Sequence, residues 1–120
     1  KLMSDKNYLP FKKKFNIVIT KDVLEHLIFF QIKKFLIEYH KVTNKMFHII
    51  PLGDDGKFRI EEYHLDRSHI QMENEKWWKN IFESCGWNVI KFDYRVIGIK
   101  DNWFKNHKKG NAFITLEKIK

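Results

Sequence analysis

An apolar strand pattern runs directly into a polar turn and an apolar helical pattern near the beginning of the sequence. Residues 15–20 read FNIVIT, a β-branched run typical of a strand, and Lys21 and Asp22 form the turn. Residues 23–42 carry apolar side chains at helical spacing, and Asp22 is placed to cap this helix. A strand that feeds directly into a helix is half of a βαβ unit. The pattern therefore predicts a parallel sheet with helices packed on it.

The rest of the sequence extends this α/β pattern. The predicted elements are strands at 45–50, 88–99 and 112–119, a helix at 74–85, and polar loops at 57–72 and 101–111. The last two strands follow one another without a helix between them, so they should pair as an antiparallel hairpin, since a parallel pair needs a crossover. The expected order is β-α-β-loop-α-β-β in a single domain.

The charge of the chain leaves its class of partner open. The formal net charge is +8, and it comes almost entirely from lysine. A basic balance is compatible with nucleic acid, an anionic surface or an acidic substrate as a partner. It is equally typical of a lysine-rich, solvated surface. Because the lysines are scattered and the densest cluster is the short run at 12–14, the solvated surface is the favoured interpretation.

Cysteine content and hydropathy exclude several classes of protein. Within these 120 residues a single cysteine, Cys85, leaves no internal disulfide and no multi-cysteine zinc site. It is compatible with a reducing compartment, and we expect the protein to be cytoplasmic. No run of roughly 18 or more apolar residues occurs, so we expect neither a transmembrane helix nor a membrane partner.

Several segments, taken in order along the chain, carry a resemblance to a known family. They are Asp5, residues 9–11 (LPF), 15–19 (FNIVI), 22–27 (DVLEHL), 66–70 (DRSHI), 77–78 (WW) and 86–87 (GW). This series resembles the class I S-adenosylmethionine-dependent methyltransferases. In that family an acidic residue before "LPF" and then "FDxVxxxxVLEHL" mark the end of the third strand, the fourth strand and the next helix. A "D-x-[ST]-H … W … G-F" region follows, so the resemblance covers nearly the whole chain.

The resemblance implies a partial Rossmann-like methyltransferase sheet that corresponds to strands four to seven of the family. The family's Gly-rich loop, of the type "VLDxGCGxG", has no counterpart here. The five glycines stand at 53, 56, 86, 98 and 110, and none lies between an early strand and a helix. We therefore expect residues 1–120 to be the C-terminal portion of a methyltransferase-like fold. A second copy of the chain or a missing N-terminal half would then complete it.

The resemblance also implies positions for the cofactor, S-adenosylmethionine. Ligands of open α/β sheets bind at the carboxyl ends of the strands, and Thr20, Lys21 and Asp22 occupy such an end. In the family this end lines the methionine side of the cofactor. Asp5 matches the acidic position that contacts the adenine edge.

Two histidines are the candidate catalytic residues. In the family a residue at the position of His26 lies near the substrate, where an imidazole could orient the acceptor or take its proton. The alternative for His26 is a histidine hydrogen-bonded inside the fold. His69 is the second candidate, on the predicted loop. His64 and His69 are five positions apart with Asp66 between them, which is not a diagnostic metal-ligand spacing, so no metal site is predicted.

The function implied by the resemblance is methyl transfer from S-adenosylmethionine to a small-molecule or sugar-like acceptor. The sulfonium already activates the methyl group, so positioning supplies much of the catalysis and few catalytic side chains are needed. The alternative is a non-catalytic, basic module that binds nucleic acid. It would use interleaved lysines and aromatic residues, namely Lys100, Trp103, Phe104, Lys105, Lys108 and Lys109.

Overall fold

A computed structural model describes residues 14–119 and shows an α/β fold. Asp5 and the LPF segment lie outside the described residues. The elements are β1 (Val18–Lys21), α1 (Phe29–Tyr39), β2 (Lys45–Pro51), β3 (Gly53–Asp54), β4 (Lys57–Phe58), α2 (Glu75–Ser84), β5 (Trp87–Asp93), α3 (Asp101–Asn106) and β6 (Asn111–Lys118). Two 3₁₀ turns, at Leu24–His26 and Glu61–Leu65, complete the described part of the chain.

Four of the strands form one sheet in the order β1-β2-β6-β5. β1 and β2 are parallel, with Val18 opposite Met46, and α1 is the crossover between them. β6 is antiparallel to both β2 and β5. The βαβ unit and the antiparallel terminal hairpin predicted from the sequence are therefore confirmed. β3 and β4 form a separate two-stranded ribbon.

The long helix predicted at 23–42 is wrong in its first third. The chain makes a 3₁₀ turn at Leu24–His26, becomes extended at Leu27 and Ile28, and only then enters α1. The reason is a tertiary hydrogen-bond pattern. The carbonyl of Glu25 accepts from the backbone N–H groups of Ile70 and Gln71, both at 2.9 Å, so it is not committed to an intrahelical bond.

The predicted helix cap at Asp22 is also wrong. Val23 is the residue that precedes the 3₁₀ turn, and no side chain caps it. Asp22 has a φ of 57°, in the left-handed region that aspartate tolerates better than most residues. Its carboxylate binds the ammonium of Lys100 instead. A long-range ion pair has therefore replaced the expected local capping bond.

Three further segments differ from the sequence prediction. β5 ends at Asp93 instead of extending to residue 99, because the chain turns at Gly98, whose φ is 94° and whose N–H donates to the Asp101 carboxylate at 2.9 Å. The loop predicted at 101–111 contains α3. The loop predicted at 57–72 holds β4 and the second 3₁₀ turn.

The core lies on one face of the sheet, under α1 and α2. Its largest members include Trp78 and Phe82 of α2 and Trp87 of β5, all fully buried. His48 of β2 stacks on Phe82 and meets Phe35 of α1 edge-on, so both helices cover the same face. Within the described residues, no helix has both the length and the apolar character needed to cross a bilayer.

The β1 edge of the sheet carries exposed apolar side chains. Ile17, which directly precedes β1, is 40% exposed, and Ile19 of β1 is 61% exposed. An unprotected edge strand with apolar residues is a template for pairing with another chain. β5, at the other edge, is protected by a register shift between Val89 and Lys91. We therefore propose that a second copy of the chain covers the β1 edge.

Self-association should depend on Ile19. We expect the 120-residue chain to form dimers in light scattering, and Ile19→Lys to shift it towards the monomer, because a lysine on an edge strand opposes strand pairing. Ile97→Lys is the matched control, since Ile97 is 82% exposed but belongs to neither edge strand. A monodisperse wild-type monomer would contradict the proposal.

Candidate functional site

A cavity of about 400 Å³ opens at the carboxyl end of β1. Lys21 and Asp22 line one side of it, and the opposite wall comes from the second 3₁₀ turn and the beginning of α3. The lining residues are Lys21, Asp22, Tyr63, Gly98, Lys100, Asp101, Asn102 and Trp103. The structure thus brings two of the predicted cofactor-binding residues to one strand-end cavity.

A buried lysine organises this strand-end cavity. Lys100 begins α3 in the left-handed conformation, with a φ of 57°, and its side chain is only 7% exposed. Its ammonium binds the Asp22 carboxylate and donates to the Tyr63 hydroxyl at 2.9 Å and to the Asn111 side-chain oxygen at 3.0 Å. Asp22 therefore reaches the cavity as one half of an ion pair. Lys100 is a site residue that the sequence analysis assigned only to the nucleic-acid alternative.

Thr20, the third residue predicted at the strand end, does not line the cavity. It is buried, and its hydroxyl lies 2.5 Å from Nδ1 of His48, its register partner on β2. Nε2 of His48 lies 3.2 Å from the Met46 sulfur. Burial lowers the pKa of His48 to about 3, so the ring is neutral. The structure gives Thr20 a role in holding β1 against β2.

The two candidate catalytic histidines lie side by side. His26 ends the first 3₁₀ turn, and His69 lies on the loop after the second, yet their ring centroids are 4.4 Å apart. The backbone bonds from Ile70 and Gln71 to the Glu25 carbonyl hold the two segments together. Residues separated by more than forty positions thus form one cluster, which we call the histidine cluster: Glu25, His26 and His69.

Both imidazoles of the histidine cluster direct Nε2 towards the Glu25 carboxylate. Nε2 of His26 is 3.6 Å from Oε2 of Glu25, and Nε2 of His69 is 3.8 Å from the same oxygen. The other ring nitrogens are occupied. Nδ1 of His26 lies 3.1 Å from the Ser68 carbonyl, and Nδ1 of His69 lies 2.7 Å from the Tyr63 carbonyl. Because a carbonyl can only accept, each Nδ1 carries a proton, and in the neutral form of each ring Nε2 is the nitrogen with the lone pair.

The Glu25 carboxyl group is fully buried, with 0% exposure, and neither of its oxygens has a hydrogen-bond partner among the described residues. Burial raises its pKa to about 8. The sequence analysis did not single out Glu25. Glu25 and His26 both belong to the first 3₁₀ turn, and Glu25 is the buried one of the two.

The chain is similar to known proteins in its structure but not in its sequence. No protein-family model matches the sequence, and neither does any curated protein. Solved structures do match. A chain of the Haloferax volcanii complex that contains the Trm112 methyltransferase activator has a TM-score of 0.70 at 10% identity, over 93% of this chain and 58% of that one. The chain has a methyltransferase fold.

Two further structures share this fold. The mitomycin 7-O-methyltransferase MmcR has a TM-score of 0.65 at 11% identity, covering 90% of this chain and 31% of that one. A SAM-dependent methyltransferase from Archaeoglobus fulgidus has a TM-score of 0.59 at 16% identity, covering 89% and 61%. The chain spans less than two thirds of each of the three structures. At these identities the likeness establishes the fold.

Proposed function

We propose that the protein containing this chain transfers a methyl group from S-adenosylmethionine to a small-molecule or sugar-like acceptor. The observation that carries the proposal is the position of the strand-end cavity. It lies at the carboxyl end of β1, in a sheet with the methyltransferase fold, which is where ligands of open α/β sheets bind. We propose further that residues 1–120 supply the C-terminal portion of the catalytic domain.

The residues of the strand-end cavity fit one side of such a cofactor. S-adenosylmethionine carries both positive groups and a carboxylate, and supplies an activated methyl group when bound. The carboxylates of Asp22 and Asp101 suit the positive groups, and the ammonium of Lys21 suits the carboxylate. The rings of Tyr63 and Trp103, whose centroids are 5.5 Å apart, give the cavity an aromatic wall. Asp5, assigned to the adenine edge in this proposal, lies outside the described residues.

His26 and His69 are the proposed acid–base residues. Each has its Nδ1 bound to a backbone carbonyl, so in the neutral form of the ring Nε2 is the nitrogen that can accept a proton. With S-adenosylmethionine bound to supply the methyl group, one of these nitrogens would take the proton that the acceptor hydroxyl loses on methylation. Orientation of the acceptor against the strand-end cavity supplies the rest of the catalysis.

The direct test is methyl transfer by the protein that contains this chain. We expect label from methyl-labelled S-adenosylmethionine to appear in members of a panel of hydroxylated small molecules. His26→Gln and His69→Gln should lower kcat, and each by about 10²–10⁴-fold if that histidine is the base, while His107→Gln should have no effect. Labelling that is absent across the panel in a protein that binds S-adenosylhomocysteine would overturn the proposed acceptor class. Absence of binding as well would overturn the proposed function.

The 120-residue chain alone should bind S-adenosylhomocysteine weakly, with a dissociation constant well above the micromolar range. The strand-end cavity addresses one side of the ligand, and no Gly-rich loop is present to approach the other. Two or three missing hydrogen bonds, each worth about 1 kcal/mol, weaken binding by tens-fold. Calorimetric titration measures this.

Any residual binding should respond to Lys21→Ala and not to Lys57→Ala, since both lysines are exposed but only Lys21 lines the strand-end cavity. Micromolar binding, or binding that is insensitive to Lys21, would show that the cofactor site is elsewhere or is completed by a second copy of the chain.

The alternative of a nucleic-acid-binding module has one structural observation in its favour. Arg95, Lys105 and Lys108 surround Phe104 in a second cavity, with the guanidinium of Arg95 4.7 Å and the ammonium of Lys108 5.4 Å from the centre of that ring. Such a group can contact phosphates and stack a base. Lys100, however, is buried in its ion pair, which removes it from the basic surface. Single-stranded RNA affinity that falls steeply with salt would support this alternative.

A further inference from the structure

The Nε2 atoms of His26 and His69 face the Glu25 carboxyl group, and neither nitrogen is hydrogen-bonded to it. Nε2 of His26 and Nε2 of His69 both point at Oε2 of Glu25, at 3.6 and 3.8 Å. These separations are too long for hydrogen bonds. Each ring has its proton on Nδ1, where it is bound to a backbone carbonyl. Two nitrogen lone pairs and a buried carboxyl group without a partner are thus directed into the same small space.

A cation in this space would satisfy more of these groups than a proton on Glu25 does. A carboxyl group buried without a hydrogen bond loses its hydration and gains nothing in return. Glu25 is not a peripheral residue that could move out into water, because its side chain is fully buried and its own carbonyl is tied to Ile70 and Gln71. A positive ion between the three groups would satisfy the carboxylate and both lone pairs at once.

The separations also fit the ligand atoms of a single ion. Nitrogen and oxygen ligands lie about 2.0–2.1 Å from zinc, so two ligands at the tetrahedral angle are roughly 3.4 Å apart. The two measured separations, 3.6 and 3.8 Å, are close to that value. One ligand atom from each of the three residues lies within 4.8 Å of those of the other two. Small side-chain rotations would bring all three to bonding distance.

The surroundings of the two histidines match those of metal ligands. A metal-bound imidazole normally donates its second ring N–H to a carbonyl or carboxylate, which fixes the tautomer and the ring orientation. His26 and His69 both do so. The carbonyl and hydroxyl oxygens of Ser68 both accept a hydrogen bond from Nδ1 of His26. The Ser68 hydroxyl in turn donates a 2.6 Å hydrogen bond to the Asp66 carboxylate, which fixes its position.

From these contacts we propose that Glu25, His26 and His69 form a binding site for one divalent transition-metal ion, of which Zn²⁺ is the test case. Two imidazoles and one carboxylate are a set that zinc, iron and related ions accept, whereas magnesium and calcium prefer oxygen ligands. Three protein ligands leave a coordination position open, and His26, whose side chain is 30% exposed, gives it access to solvent. The open position would take a water or a hydroxyl oxygen of a ligand. The proposal concerns metal binding alone and does not depend on methyl transfer. An ion held by both Nε2 atoms would take the place of a proton there, so the metal-bound protein would not use these two nitrogens as bases.

The test is a titration of the 120-residue chain after removal of metal with EDTA and buffer exchange. We expect calorimetry with ZnCl₂ to show saturable binding of one ion per chain, and CoCl₂ to give the intense visible absorption of a four- or five-coordinate site. MgCl₂ should give no saturable heat. Glu25→Gln and His69→Gln should each weaken Zn²⁺ binding at least about 100-fold, since even the loss of a group that only hydrogen-bonds to a metal ligand costs about 10–100-fold.

Matched controls distinguish Zn²⁺ binding at the histidine cluster from Zn²⁺ binding to other histidines of the chain. His107→Gln should leave Zn²⁺ affinity unchanged, because His107 is outside the histidine cluster. Circular dichroism verifies that each variant is folded, and Glu25→Gln, which keeps the shape of the side chain, covers the case in which His69→Gln does not fold. Absence of saturable Zn²⁺ binding would overturn the proposal. So would wild-type affinity in either folded variant.

Discussion

Replacing Asp22 by asparagine is expected to lower the free energy of unfolding by about 3 kcal/mol. The change removes the only carboxylate bound to the Lys100 ammonium among the described residues. The Lys100 side chain is only 7% exposed, and its ammonium keeps just two neutral partners, Tyr63 and Asn111. The expected loss is at the low end for breaking a buried ion pair because Asp22 itself is 33% exposed. Asparagine tolerates the φ of 57° at this position, so backbone strain does not add to the effect.

A double-mutant cycle shows whether the lower free energy of unfolding comes from leaving the Lys100 ammonium without a counter-charge. Lys100→Met removes the ammonium and keeps most of the side-chain volume. The variant with both changes should be more stable than Asp22→Asn alone, by about 1–2 kcal/mol, because no buried charge is then left without its counter-charge. Urea unfolding followed by tryptophan fluorescence measures each variant. Additive losses from the two single changes would show that Asp22 and Lys100 are not coupled.

The contribution of His48 to stability is expected to fall by about 2 kcal/mol between pH 8 and pH 5. Burial lowers the pKa of this histidine from 6.5 to about 3. Between these two values the unfolded chain binds the proton and the folded chain does not. The contribution is therefore complete above pH 6.5, and is lost as the pH falls, by about 1.4 kcal/mol per pH unit. The side chains that contact the ring (Thr20, Phe35, Met46 and Phe82) carry no charge that could offset the burial.

The measurement is the difference in unfolding free energy between the wild type and His48→Gln, taken at several pH values with EDTA present. A difference is needed because Glu25, whose pKa is raised to about 8, titrates in the opposite sense: its buried neutral form favours folding at low pH and is lost as the pH rises from 4.5. That term is common to both proteins and cancels. A difference that does not change between pH 8 and pH 5 would show that the imidazole is hydrated or paired in the folded state.

Local sequence patterns determined the elements and their connections. The β-branched run before Lys21 and the apolar run at 45–50 predict the two parallel strands, because each signal extends over only a few neighbouring residues. The absence of a helix-length apolar pattern between the last two strands predicts their antiparallel pairing. The same patterns place Lys21 and Asp22 at a strand end, where the cavity is found.

Element boundaries and the composition of the site were decided by contacts between distant residues. The helix pattern at 23–42 is continuous in sequence. Its break follows from the hydrogen bonds that Ile70 and Gln71 make to the Glu25 carbonyl. The same hydrogen bonds hold the loop of His69 beside Glu25 and His26, so the histidine cluster has no signature in residue spacing.

The ion pair that occupies Asp22 has the same origin, because its partner is 78 positions away on the turn into α3. The buried bond that takes Thr20 into the core depends on the register between β1 and β2. Periodicity records which face of an element is apolar. This was sufficient to predict the four strands of the main sheet and the helices α1 and α2 in order, but not β3, β4 or α3. It does not record which polar groups meet when those faces pack. The contacts between polar groups are determined by the requirement that buried donors, acceptors and charges have partners, and this requirement is met only in the tertiary structure.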